Sequence, residues 1–343
     1  MDNKTLTVTQ AANMFRKLLD EMPTADEVSD SFRNVEFLST GLPAVDHGVL
    51  GLGGLPFGYG IELFGLESSG KTLFAIHMAA MLHARDPEAF VLWCDVEGSH
   101  VPAWMSLNGM NLSRTKIAHG LGSAEHYEGC IRAAISGGYR MIVLDSASSM
   151  VPEEVMSATT SNLKMNQQNE QAAFMTNMLH RLESGWPEAG LPSFASTRCM
   201  FIIINHSKRM NIEDSYRADS KGAGAIKHFC RVRLNIESMS LLRDDKGDRL
   251  FKTAASEGVV RIQCIKNQLG LPLCESTYHV NLRTGQMWDD PECIIELGKR
   301  QGTLTVTGSW YNHGKMRWQG KDALMETIRK LPELGQRICR GKQ

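Results

Sequence analysis

Residues 65–72, Gly-Leu-Glu-Ser-Ser-Gly-Lys-Thr, match the G-x-x-x-x-G-K-[ST] phosphate loop in full, and their flanks constrain the fold further. Ile61-Glu62-Leu63-Phe64 alternates apolar and polar residues like a strand, and Leu73 to Leu82 is apolar enough for a buried helix. Strand, glycine-rich turn and helix are the arrangement in which backbone N–H groups and a helix N-terminus converge on phosphate oxygens. Gly65, Glu67, Ser68, Ser69 and Gly70 form the cradle. Lys71 then reaches the β- and γ-phosphates of a nucleoside triphosphate, and the Thr72 hydroxyl holds Mg²⁺.

A chain of 343 residues can carry one large α/β domain with smaller additions, or two domains. Its 42% hydrophobic and 22% charged residues are typical of a soluble globular protein. No apolar run is long enough to span a bilayer, and the first residues lack the apolar core of a secretory signal, so a cytoplasmic protein is expected. The cysteines at 94, 130, 199, 230, 264, 274, 293 and 339 include no Cys-x-x-Cys pair, and several stand in apolar runs. Buried, reduced thiols explain them better than zinc or disulfides. The net charge of −1 hides an uneven distribution: residues 206–233 hold seven Lys or Arg against three acids, and residues 313–343 hold eight against three. Both stretches are candidate polyanion surfaces, and a solvated surface fits the second as well.

Residues 8–20 place Ala11, Met14, Phe15, Leu18 and Leu19 at helical spacing, and the polar stretch 21–34 reads as a linker. Such a helix must bury its apolar face on the body of the protein or on a neighbouring copy. From 35 to about 265, strands expected at 60–64, 89–95, 115–118, 139–144, 199–204, 231–236 and 259–265 alternate with helices at 71–84, 101–109, 123–137, 169–184 and 221–228. Continuous apolar strands such as Met141-Ile142-Val143-Leu144 suit a mostly parallel sheet covered on both faces. From 268 onward the pattern suggests a smaller α/β part.

Two strands end in acids. Asp145 closes Met141 to Leu144 in the manner of a carboxylate that holds Mg²⁺, usually through water. Asp95-Val96-Glu97 closes another, where Glu97 either activates a water or serves as a capping or solvated strand end. Asn205-His206 ends Met200 to Ile204, a position from which a side chain could touch a γ-phosphate and signal to the following loop. A structural hydrogen bond is the other reading of His206.

The order of these motifs resembles the RecA family of DNA recombinases, with a looser likeness to its phage UvsX branch, from about Phe37 to Gly335. Leu38-Ser39-Thr40-Gly41 and Gly53 to Gly58 resemble the family's approach to the core. The phosphate loop differs from the family's Gly-Pro-Glu-Ser-Ser-Gly-Lys-Thr by Leu66, and Gly222 to Lys227 resembles the exit of its second DNA loop. Trp310-Tyr311 and Gln319-Gly320-Lys321 follow in the family's order.

The resemblance implies a RecA-type core over 35–267, an N-terminal oligomerisation helix and linker in 1–34, and a small C-terminal domain in 268–343. It implies ATP and Mg²⁺ as cofactors, Glu97 with Lys71 as catalytic groups, Trp104 against adenine, His206 as sensor, and Lys266 reaching the triphosphate of the next subunit. DNA loops are implied near 155–168 and 207–224, with Met165, Thr176, Lys208, Arg209, Ile212, Gly222, Ala223 and Gly224 as contacts. The implied partners are single- and double-stranded DNA, further copies in a helical filament, and single-strand-binding and loader proteins, in a bacterial or phage setting.

Four departures accompany the likeness: His206 stands for the bacterial Gln, Gln268 for a second interface Lys, the first loop is a few residues longer, and Arg337 to Gln343 is basic rather than acidic. A ring-forming helicase on the same core would carry a long N-terminal domain, which counts against it. A non-catalytic paralogue could dispense with Lys71, Thr72 and Glu97, all of which are present.

Overall fold

The computed structural model describes residues 16–17, 24, 35–98, 102–157, 163–185, 190–207, 220, 224–238, 257–270 and 272–340. The chain divides into a short unit, Met1–Glu36, and a large one, Phe37–Gln343. In the short unit Arg16 and Lys17 are helical, while the expected apolar stripe from Ala11 to Leu19 otherwise lies outside the described residues.

The large unit opens with a two-stranded ribbon, β1 (Phe37–Leu38) and β2 (Leu55–Pro56), around a π-helical turn at Ala44–Val49. There follow β3 (Gly60–Gly65), α1 (Lys71–Arg85), β4 (Val91–Asp95), α2 (Pro102–Leu107), β5 (Thr115–His119), α3 (Ala124–Ser136) and β6 (Met141–Asp145). Next come α4 (Glu153–Ser157), α5 (Leu163–Ser184), β7 (Met200–His206), α6 (Gly224–Phe229), β8 (Cys230–Ser238), β9 (Glu257–Asn267), β10 (Glu275–Asn281) and β11 (Met287–Asp289).

Nine strands form one sheet in the order β11-β10-β9-β8-β3-β7-β6-β4-β5. From β8 to β5 all pairings are parallel, and β9, β10 and β11 add an antiparallel edge. Every residue of β3, β4 and β6 is buried, the condition for a parallel sheet covered on both faces. Alternation along the strands sorts the core into two layers. Leu63, Val143 and Ile202 pack with Phe74 and Met78 of α1, whereas Leu144 and Ile203 face Ile131 of α3 and Leu179 of α5. Cys94, Cys199, Cys230, Cys264 and Cys339 are buried and free, as expected of reduced thiols.

The sheet runs on past residue 268, where the sequence places the start of the C-terminal part, because β10 pairs with β9 from Glu275↔Gln263 to Asn281↔Glu257. Ladder hydrogen bonds carry it there, and apolar content does not mark them. Beyond it come α7 (Pro291–Arg300), a three-stranded sheet of β12 (Thr305–Thr307), β13 (Trp310–His313) and β14 (Met316–Gln319), then α8 (Lys321–Lys330) and α9 (Pro332–Cys339). Asp290 caps α7 by accepting from the Glu292 N–H, with Pro291 in the first turn, where a missing N–H costs nothing. Ile295, Leu324, Ile328 and Ile338 form a third core that also takes in Ala44. No described helix is long and apolar enough to cross a membrane.

Candidate functional site

Because β3, β7, β6 and β4 are parallel, their C-terminal ends share one edge. Gly65 pairs with His206 and Asp95 with Asp145, so the phosphate loop, the acids and the histidine meet there. Ligands of open α/β sheets bind in the crevice outside that edge. The cradle depends on two glycines. Gly70 has φ 100° at the N-cap of α1, and a Cβ on Gly65 would lie 2.1 Å from the Ile236 carbonyl oxygen. Lys71 folds back over the loop, its Nζ donating to the carbonyl oxygens of Leu66 at 2.7 Å and Gly65 at 3.2 Å. Burial pulls the Lys71 ammonium below its ordinary range against the pull of Asp145, Glu97 and Glu67.

The Thr72 hydroxyl donates to Asp145 Oδ2 at 2.9 Å. Burial pushes the Asp145 carboxyl up to about 6, reinforced by Glu97 and Asp95 and opposed by Thr72 and Lys71. The Asp145–Ser146 peptide is cis. Ser69 Oγ is buried without a hydrogen-bond partner among the described residues. An orphaned hydroxyl in the loop, a buried ammonium beside it and a carboxylate–hydroxyl pair have the chemistry that fits a magnesium–triphosphate group. A cavity of about 530 Å³ adjoins them, lined by Ser69, Lys71 and Thr72 together with Trp93, Trp104 and Val260. Trp104, on α2, is thus brought beside the phosphate loop.

Glu97 is held by one oxygen. Its Oε1 lies 3.1 Å from His206 Nε2, accepts from Ser149 Oγ at 3.1 Å, and accepts from Ser146 Oγ. Burial raises the Glu97 carboxyl, but the hydrogen bonds from Ser146, His206 and Ser149 prevail and hold it below the usual range.

The remaining predicted residues divide. Lys266 does not enter this cavity: its Nζ caps the end of α6, donating to Lys227 O at 2.6 Å and His228 O at 3.3 Å. Gln268 accepts from Arg231 at 2.6 Å. Thr176 donates to Ala172 O at 2.6 Å along α5 and shares a 340 Å³ cavity with Gly224, which opens α6. Met165 falls within the backbone of α5, with its side chain outside the described residues. Lys208, Arg209, Ile212, Gly222 and Ala223 also lie outside them. What frames that stretch is described: Ser207 bridges Ser220 in antiparallel fashion, and the Ser207 N–H donates to Gly65 O at 3.0 Å.

Sequence reasoning missed two arrangements. One is the hydroxyl cluster Ser146, Ser148 and Ser149 around Glu97, of which the run Ser146-Ala147-Ser148-Ser149 was the available signal. The other lies beneath the loop. Glu62, fully buried in β3, accepts from Arg233 Nε at 2.5 Å and from Asn205 Nδ2 at 3.0 Å, while Arg233 Nη2 donates to Ser220 Oγ at 3.1 Å. A charged residue inside a buried strand next to the phosphate loop was its signal.

Comparison with known proteins adds a second line of evidence. The model of the RecA N-terminal domain matches residues 22–286. Protein RecA of Rickettsia prowazekii is 25% identical over 307 residues, covering 89% of this chain and 84% of that protein. For Protein RecA of Blastochloris viridis the figures are 27% over 307 residues, 89% and 81%. For that of Methylobacterium radiotolerans they are 28% over 313 residues, 90% and 80%.

Proposed function

The chain belongs to the RecA family, and from that premise we propose that it is a DNA-dependent ATPase that forms helical filaments on single-stranded DNA and carries out homologous pairing and strand exchange. One observation carries the reading: Lys71, Thr72, Asp145, Glu97 and His206, which come from four strands and their loops, meet at a single sheet edge. Lys71, now bonded to loop carbonyls, would bind the β- and γ-phosphates, and the paired Thr72 and Asp145 would hold Mg²⁺. Bound ATP with Mg²⁺ supplies the scissile phosphoanhydride and the neutralisation of its charge. Glu97 accepts the proton of the attacking water, and its lowered proton affinity keeps it ionised at neutral pH. Trp104 stacks on the base.

Unlike surfaces meet head to tail in such a filament, and an open helix results when the rotation does not close. Residues 1–34 supply the oligomerisation helix in this reading, and Lys266 turns to the triphosphate of the next subunit. Single strands run along the stretches 155–168 and 207–224, where Lys208, Arg209 and the Gly222–Gly224 backbone grip phosphates. Met165 and Ile212 wedge between base groups, with Thr176 beside them. Sequence preference is weak, because phosphates and base faces carry the contacts. The work belongs to recombination and repair in the cytoplasm, with single-strand-binding and loader proteins as further partners.

Electron microscopy with single-stranded DNA and a slowly hydrolysed ATP analogue tests the assembly, with long filaments expected. Hexameric rings would point to a helicase, and neither form to a non-catalytic paralogue. Glu97→Gln is expected to bind ATP, lose turnover and leave persistent filaments. Rapid hydrolysis by that variant would remove Glu97 from the catalytic role.

A further inference from the structure

We propose that Ser146 and Ser149 are positioning residues that fix which oxygen of Glu97 takes the proton from water. The inference rests on the catalytic reading of Glu97 given above. Three donors converge on Oε1: Ser146 Oγ, Ser149 Oγ at 3.1 Å and His206 Nε2 at 3.1 Å. A carboxylate offers only acceptors, so each partner spends a proton on it, and His206 carries its hydrogen on Nε2. The Ser146 O–H is directed at Glu97, so Ser146 accepts from Ser148, 3.0 Å away. The Ser149 O–H is likewise directed at Glu97.

Each carboxylate oxygen has about two lone pairs, so the three donors more than fill Oε1 and share it as partly bifurcated contacts. Among the described residues no donor is seated on Oε2. The serines thus leave one free oxygen in a fixed orientation, and the carboxylate cannot spin about its last torsion, which is otherwise broad. Glu97 stands on a loop beyond the end of β4, with its side chain 31% exposed, so packing alone does not lock it. The two serines follow β6 instead, with Ser146 fully buried and Ser149 closing the short helical turn Ala147–Ser149. The orientation of the base is thereby set by the neighbouring strand of the sheet. When His206 turns toward a γ-phosphate, the serine bonds still hold Glu97.

Steady-state ATPase kinetics of Ser149→Ala with saturating single-stranded DNA test the proposal. A positioning bond acts on the chemical step, so kcat should fall by about tenfold while KM stays within about twofold. Ser149→Thr keeps the hydroxyl and should restore most of the rate. Ser146→Ala should show the same split if it folds, and circular dichroism reports whether it does. An unchanged kcat in Ser149→Ala, or a threonine variant as slow as the alanine one, overturns the proposal. Glu97→Gln is run beside them. If it is inactive while Ser149→Ala is normal, only the positioning role fails. If it turns over freely, the catalytic reading of Glu97 fails first.

Discussion

Asp289 is a carboxyl whose charge its surroundings disfavour. It is buried at the end of β11, where its Oδ2 accepts from the Ala44 N–H at 2.9 Å and its Oδ1 has no partner among the described residues. Burial pushes its carboxyl up to about 7, with Asp46 and Asp290 adding and the Ala44 bond opposing. A carboxyl raised by folding contributes stability below its unfolded value and loses it as pH rises through its folded value. The window here runs from about pH 4 to about pH 7, and Asp46 and Asp145 are raised in the same direction. The expected loss from Asp289 is on the order of a few kcal/mol. Asp289→Asn should therefore reduce the drop in melting temperature between pH 5 and pH 8, measured by circular dichroism. An equal drop in both proteins would mean that Asp289 is ionised at no cost.

Glu62, Arg233 and Asn205 tie together three adjacent strands, β3, β8 and β7, next to the phosphate loop. The carboxylate is fully buried and the guanidinium, which also lies 5.0 Å over the Phe64 ring, nearly so. Desolvating two charges offsets much of their attraction, so the intact pair adds little net stability, whereas a lone survivor costs a great deal. Arg233→Ala should lower the unfolding free energy by about 3–5 kcal/mol in urea titrations. Replacing both residues by leucine should recover most of it. A loss below about 1 kcal/mol for the single variant would show that Asn205 and bound water satisfy Glu62 alone. Since Arg233 also reaches Ser220, the same variant should loosen the base of the stretch between Ser207 and Ser220, read as faster hydrogen exchange there.

For the whole molecule, the proposed DNA binding turns on how the protein would hold a polyanion. Lys208 and Arg209 directly follow the Ser207 bridge, whose N–H bond to Gly65 anchors the stretch to the phosphate loop. Each phosphate contact on a single strand contributes about 0.7 to the slope of log affinity against log salt. Replacing both residues by alanine should therefore flatten the slope by roughly 1.4 on a homopolymer with an ATP analogue bound. A double variant with the wild-type slope would make this stretch an ordinary solvated surface and remove it from the DNA site.

Much of this was legible in the amino-acid order, because it is written locally. The phosphate loop is a contiguous motif, and β3, β6 and β7 reveal themselves by apolar runs that end in Gly65, Asp145 and Asn205-His206. The collinear sequence of those motifs also pointed to the family whose domain model matches residues 22–286. Long-range pairing leaves no such trace. The nine-strand order, the β10–β11 edge beyond residue 268, and the meeting of Arg233 with Glu62 across 171 positions depend on which strands lie side by side. Ser149 and Glu97 are likewise 52 positions apart, and the hydrogen bond between them exists only because β4 and β6 pair in the register that sets Asp95 against Asp145. Local periodicity fixes which face a residue presents, but a hydrogen bond between distant side chains is decided by register, and register is settled only when the sheet closes.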